Sequence, residues 1–115
     1  MHELAVVESV LDIALGHAAA RGLTRIRSVG LQVSAASDLE EEWLARYFGY
    51  ASGGTMAEGA KLRVERVPAL LRCGSCSREY EVGREGLAAA ACPACGSPRA
   101  ELARPSYFVT DMEAS

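Results

Sequence analysis

Two cysteine pairs constrain most strongly what this chain can fold into. Cys73 and Cys76 form one C-x2-C pair, Cys92 and Cys95 form a second, and fifteen residues separate the two pairs. Each C-x2-C turn points two thiolates at one place, so two such turns can complete the tetrahedron of ligands that Zn²⁺ prefers. Because four sulfurs leave no open coordination position, the spacing predicts a structural zinc site rather than a catalytic one.

Redox chemistry and disulfide formation are the alternative uses of these cysteines. A redox C-x-x-C motif acts without a second pair, so the duplication argues against it. The opening residues lack the basic and apolar regions of a secretory signal, and no apolar run approaches the roughly 18 residues of a membrane span. We therefore expect a cytoplasmic protein that does not associate with membranes, where thiols stay reduced.

Hydrophobic spacing predicts two helices before the cysteines. The first covers residues 4–21, in which apolar side chains recur at intervals of three and four, and Gly22 follows as a helix stop. Its apolar stripe consists of Leu4, Val7, Leu11, Ala14 and Ala18. The second helix is expected to open at a capping box. The capping box consists of Ser37 and Glu40. The buried face of this helix is expected to contain Trp43, Tyr47 and Phe48, and the helix is expected to end near Gly53 and Gly54.

Alternating hydrophobicity predicts strands within residues 25–35 and 61–67, and residues 106–112 are interpreted as a third strand. The cysteine region between the last two strands contains little apolar material and cannot fold alone by burying surface. The expected fold is α+β, with two helices on a three-stranded sheet and an inserted zinc-ribbon domain. We assign residues 1–69 and 104–115 to the α/β domain and residues 70–103 to the insertion.

The charge distribution disfavours one class of function. The chain carries 12 basic and 15 acidic residues, a net charge of -3, with both signs scattered along its length. Nucleic-acid-binding proteins concentrate Lys and Arg on one face, and no such stripe is present. We expect no nucleic-acid partner.

The sequence Met-His-Glu at the start offers a second set of metal ligands. Initiator methionine is normally removed only before small residues, so Met1 is expected to keep its free amine before His2. The amine, the His2 backbone nitrogen and the His2 imidazole can close consecutive chelate rings, and the Glu3 backbone nitrogen or carboxylate can supply a fourth position. Such tetragonal sites suit Ni(II) or Cu(II). The alternative is an ordinary helix start, with Glu3 placed favourably against the helix dipole.

Several stretches together resemble the HypA/HybF family of hydrogenase nickel-incorporation proteins. They are Met-His-Glu at the N-terminus, RGLTRIRSVGLQV, GGTMAEGAKLRVERVP, and the CGSC and CPACG pairs. The resemblance implies a nickel metallochaperone in which His2 is the nickel ligand, Met1 and Glu3 contribute through the amine and the backbone, and the four cysteines bind zinc. It also implies a fold of two helices on a three-stranded sheet with a zinc domain between the last two strands.

The resemblance implies a binding protein rather than an enzyme. It would deliver Ni(II) to the precursor of a [NiFe] hydrogenase large subunit, work with a HypB-type GTPase, and in some organisms also feed urease maturation proteins. Two other hypotheses remain open from the residues alone. One is a zinc-ribbon module that binds protein or nucleic acid without nickel transfer, and the other is an enzyme that uses the thiols for redox work.

Overall fold

A computed structural model describes residues 2–115 of the chain, except for the side chain of Ala88. The elements follow the order α1 (Glu3–Ala20), β1 (Ile26–Ser34), α2 (Glu41–Ala51), β2 (Lys61–Val67), β3 (Ala69–Cys73), β4 (Glu79–Val82), a 3-10 helix (Arg84–Ala89), β5 (Ala100–Leu102) and β6 (Tyr107–Ala114). One sheet has the strand order β2-β1-β6, and another has the order β4-β3-β5. The expected α+β class is confirmed, and the strands of the cysteine region fall between β2 and β6 in the sequence.

The chain divides into two compact units. The helical unit contains residues 2–32, 38–65 and 108–115, and the cysteine unit contains residues 33–37 and 66–107. The predicted domain limits at residues 70 and 103 stay a prediction. Within the described residues, no helix is both long and apolar enough to cross a membrane.

The first helix ends as its sequence indicates. The N–H of Gly22 donates to the Ala19 carbonyl (3.2 Å) and the N–H of Leu23 donates to the Ala18 carbonyl (2.9 Å), with Gly22 at φ 69°. This pair of bonds is the Schellman motif, which places a residue in the left-handed region and therefore favours glycine. At the other end of the predicted stripe, Leu4 is 46% exposed and does not join the core.

The predicted start of the second helix is wrong. The helix begins at Glu41, with Glu40 as an extended N-cap residue that has no capping bond from its own side chain. Ser37 lies three residues earlier, where its N–H donates to the Ser34 carbonyl (3.0 Å). The Glu40 N–H instead donates to the carboxylate of Glu3, which comes from α1. A side chain distant in sequence thus replaces the local capping box.

The core of the helical unit lies between its helices and the sheet. Leu31 and Val29 of the central strand β1 are at most 1% exposed, as are Leu44 and Phe48 of α2. On β2 and β6, Arg63 and Asp111 form an ion pair (2.9 Å). Buried apolar side chains on β1 and α2, with an exposed ion pair on the outer strands, fit a sheet that has one covered face.

Candidate metal centre

Two tight turns position the cysteines of the cysteine unit. In the first, the N–H of Ser77 donates to the Cys73 carbonyl (3.1 Å), and Ser77 has φ 65°. In the second, the N–H of Gly96 donates to the Cys92 carbonyl (2.7 Å), and Gly96 has φ 74°. The residue after each second cysteine therefore adopts the left-handed conformation that closes the turn.

The two turns bring four sulfur atoms together. All four lie within 4.8 Å of one another, and two sulfur pairs, Cys73–Cys95 and Cys76–Cys92, are each 3.5 Å apart. A tetrahedron with Zn–S bonds of roughly 2.3 Å has sulfur–sulfur edges of about 3.8 Å, whereas a disulfide bond measures about 2.05 Å. The thiols are free. Their number, chemistry and spacing fit a single zinc ion.

Hydrogen bonds and neighbouring thiols spread the pKa values of these cysteines. The N–H groups of Cys76 and Ser75 donate to the Cys73 sulfur (3.4 and 3.3 Å) and, as the main causes, lower its pKa to about 6. At Cys95 the N–H of Ser97 lowers the pKa, but the Cys73 thiol, burial and the other two thiols outweigh it and raise the pKa to about 12. Four thiolates at neutral pH therefore require a cation that displaces the remaining protons.

The cysteine unit has a small apolar cluster beside these sulfurs. The cluster consists of Leu71, Cys73, Tyr80 and Cys92, with Val82 and Ala90 packed against it. A unit with so few buried side chains gains little from burial, so metal–sulfur bonds would make a large contribution to its stability. Within residues 2–115, the four cysteines are the only group of His, Cys, Asp and Glu side chains close enough to hold a metal ion.

The other predicted ligands lie at the start of α1. Met1 falls outside the described residues. His2 is the N-cap residue of α1, but its side chain makes no capping bond and is exposed. Glu3 is buried, and its carboxylate accepts a hydrogen bond from the N–H of Glu40 (3.0 Å). That bond, followed by one from its own backbone N–H, holds the pKa of Glu3 below its ordinary value.

Aromatic side chains of α2 adjoin this terminus, and the sequence-based assignment of them to the core is wrong in part. Phe48 is buried as expected, but Trp43 is 42% exposed and Tyr47 is half-buried. The actual buried pair is Leu44 and Phe48, which lie four residues apart on one face of the helix. Trp43 and Tyr47 form a second pair at the same spacing, so helical periodicity alone could have separated the two faces.

Among residues 2–115, the second histidine of the chain has no group of ligands around it that could hold a metal ion. His17 is exposed and lines a groove of about 440 Å³ between α1 and β6, together with Arg21 and Asp111. The cationic Arg21 beside it disfavours a metal ion at this place.

These features define a small metal-binding protein, with a four-thiol centre in one unit and an exposed histidine at the helix start of the other. A family model described as hydrogenase/urease nickel incorporation, metallochaperone, hypA matches residues 1–113. The chain belongs to the HypA family of metallochaperones.

Curated relatives agree with this assignment. The chain is 38% identical over 102 residues to the hydrogenase maturation factor HybF of Klebsiella pneumoniae, covering 89% of this chain and 88% of that protein. It is 31% identical over 116 residues to the hydrogenase maturation factor HypA of Aeromonas hydrophila, covering all of both chains.

A solved structure shares the fold. The solution structure of the Ni metallochaperone HypA from Helicobacter pylori matches with a TM-score of 0.83 and 20% identity, over 99% of this chain and 97% of that one. The expected arrangement of helices, sheet and cysteine region is therefore one that an experimentally determined protein adopts.

Proposed function

We propose that this protein binds Ni(II) at Met1, His2 and Glu3 and delivers it to the precursor of a [NiFe] hydrogenase large subunit. The observation that carries the proposal is the family match, which begins at residue 1 and so includes this terminus. The exposed imidazole of His2, placed ahead of a helix that it does not cap, supports it. The ion is cargo rather than a resident cofactor.

The start of α1 suits a ligand set built from backbone nitrogens. The bond from the Val6 N–H to the His2 carbonyl (3.1 Å) is the first of the helix, so the N–H groups of His2 and Glu3 precede the helical ladder. Nickel can displace their protons without breaking a bond of the helical ladder, although the Glu3 N–H would give up its bond to its own carboxylate. The Glu3 carboxylate already accepts a bond from Glu40, which favours the Glu3 backbone nitrogen as the fourth ligand.

The four cysteines bind Zn(II) in a structural role. Cys73, Cys76, Cys92 and Cys95 would fill all four positions of a tetrahedral ion, leaving none for a substrate or water. The chemistry of the protein is then ligand exchange at the nickel site, with no covalent step. Because the zinc site needs four reduced thiols, we place this activity in the cytoplasm.

The family description suggests the partners. A HypB-type GTPase would act with the protein in hydrogenase maturation. Urease maturation proteins are further candidate recipients, because that description covers urease as well as hydrogenase.

A nickel titration of zinc-loaded protein with its authentic N-terminus tests the proposal. His2→Ala should abolish tight nickel binding and keep zinc. His17→Ala is the matched control, because it removes an exposed histidine from the same helix and should leave nickel binding unchanged. A protein that holds zinc but takes up no nickel would contradict the proposal and favour a zinc-ribbon interaction module.

A further inference from the structure

Two adjoining grooves flank Tyr47 on the surface of the helical unit. One, of about 340 Å³, is lined by His2, Glu3, Leu4, Glu8 and Tyr47, among others. The second, of about 280 Å³, is lined by Glu3, Glu40, Trp43 and Tyr47. We call this surface the aromatic face and define it by Leu4, Glu8, Glu40, Trp43 and Tyr47. It begins at the proposed nickel ligand His2 and runs across α1 onto α2.

The aromatic face presents apolar surface that the fold does not need for its core. Trp43 is 42% exposed and Leu4 is 46% exposed. The rings of Trp43 and Tyr47 stack with centroids 5.8 Å apart and planes inclined at 28°, and the Arg46 guanidinium lies 5.4 Å from the centre of the Trp43 ring. Aromatic side chains held in this way lose little conformational entropy on binding, so Trp and Tyr often dominate the binding energy of interfaces.

We propose that the aromatic face is the docking site for the protein that receives the nickel ion, an inference that rests on the proposed function. A ligand atom of the recipient must approach an ion held by His2 to roughly 2 Å, the length of a metal–nitrogen bond. A protein partner of standard size covers about 800 Å² of surface around its point of contact. The surface around His2 that such a partner would cover includes the aromatic face.

The charges on the aromatic face indicate which side chains the recipient places against it. Within residues 2–115, neither Glu8 nor Glu40 takes part in an ion pair through its side chain, and both side chains are exposed. The nearby cation, Arg46, is paired with Glu42 (3.2 Å) and packed on Trp43. The recipient segment should therefore carry an apolar side chain against the Trp43–Tyr47 stack and a Lys or Arg beside Glu8 and Glu40.

The test compares the transfer of nickel from the same nickel-loaded protein to two acceptors. One is the precursor of a [NiFe] hydrogenase large subunit from the same organism, and the other is EDTA, which needs no docking surface. Trp43→Ser and Tyr47→Ser should each weaken binding to the precursor at least about tenfold and slow transfer to it, as loss of an interface hot spot does. Transfer to EDTA should keep its rate. Tyr50→Ser is the matched control, because Tyr50 is an 88% exposed aromatic on the same helix that lines neither groove.

A charge reversal keeps the proposal testable if an aromatic variant fails to fold. Glu8→Lys changes an exposed side chain and should slow association with the precursor, most clearly at low salt. Unchanged binding of the precursor to these variants, or an equal loss in Tyr50→Ser, would overturn the proposal. Dimerisation of the parent protein that Trp43→Ser abolishes would assign the face to a second copy and overturn it as well. Failure of the parent protein to take up nickel at His2 would instead refute the proposed function.

Discussion

Replacing Phe48 by alanine should destabilise the helical unit far more than replacing Trp43, although both are large aromatic residues of α2. Phe48 is 1% exposed and Trp43 is 42% exposed. Truncating a buried phenylalanine to alanine costs about 3–5 kcal/mol, because the lost contacts leave a cavity. Truncating Trp43 leaves no enclosed cavity, because the side chain lies at the surface, and the loss of its stacking with Tyr47 costs roughly 1 kcal/mol beyond the area that Trp43 buries.

These free energies correspond to well-separated melting temperatures. For a unit of roughly 60–100 residues, each kcal/mol shifts Tm by about 4–8 °C. Phe48→Ala should therefore lower Tm by at least about 12 °C, and Trp43→Ala should lower it distinctly less. Far-ultraviolet circular dichroism during heating measures both shifts, and zinc content measured in parallel shows whether the cysteine unit is intact.

An equal decrease of Tm in the two variants would refute this reasoning. If Trp43→Ala lowered Tm as far as Phe48→Ala does, Trp43 would belong to the core and the helix would be rotated relative to the structure described. The same result would remove the exposed stack on which the docking proposal depends. The fluorescence of Trp43, the only tryptophan of the chain, gives an independent readout of burial in the parent protein.

Three further results are expected. Cys92→Ala should release zinc and increase hydrogen exchange within residues 70–103 while the helices persist, since metal-binding free energy there is folding free energy; loss of the helical circular dichroism would contradict this. The lowered pKa of Glu3 means that its bond to Glu40 stabilises the fold at neutral pH and that this contribution is lost as pH falls below about 4.5. Glu3→Gln should therefore be less stable than the parent at pH 7, and acid titration of Tm should show the difference shrinking; a constant difference would contradict it. Nickel affinity should fall as pH is lowered toward about 6, because protons compete for the imidazole and the amine, and titrations at several pH values would reveal a flat profile if the ligands were carboxylates.

Local chemistry made part of the fold predictable. Gly22 ends α1 because the Schellman motif needs a left-handed residue, and that requirement can be read from the chain. The C-x2-C turns are similarly self-contained, since Ser77 and Gly96 close them over a few residues. The three strands expected to share a sheet do so, with the order β2-β1-β6, but the sequence does not predict that order.

A contact between residues distant in sequence explains one of the two errors. Ser37 and Glu40 have the spacing of a capping box, but the carboxylate of Glu3 takes the place of the local cap, and no local pattern encodes a bond across 37 residues. The prediction for α2 fails for a different reason. Aromatic character predicts a core position for Trp43, whereas its position along the helix relative to Leu44 and Phe48 places it on another side.

If the nickel site uses the free amine of Met1, blocking that amine should abolish tight nickel binding. A Gly-Ser-Gly-Ser extension before Met1 converts the amine into a peptide nitrogen while every side chain remains. The matched control carries the same four residues after Ser115. Nickel titration of both zinc-loaded proteins, with their N-termini verified by mass spectrometry, should show tight binding in the control and its loss in the N-terminally extended protein. Equal nickel affinity in the two proteins would contradict the amine-anchored site, even if His2 proved essential.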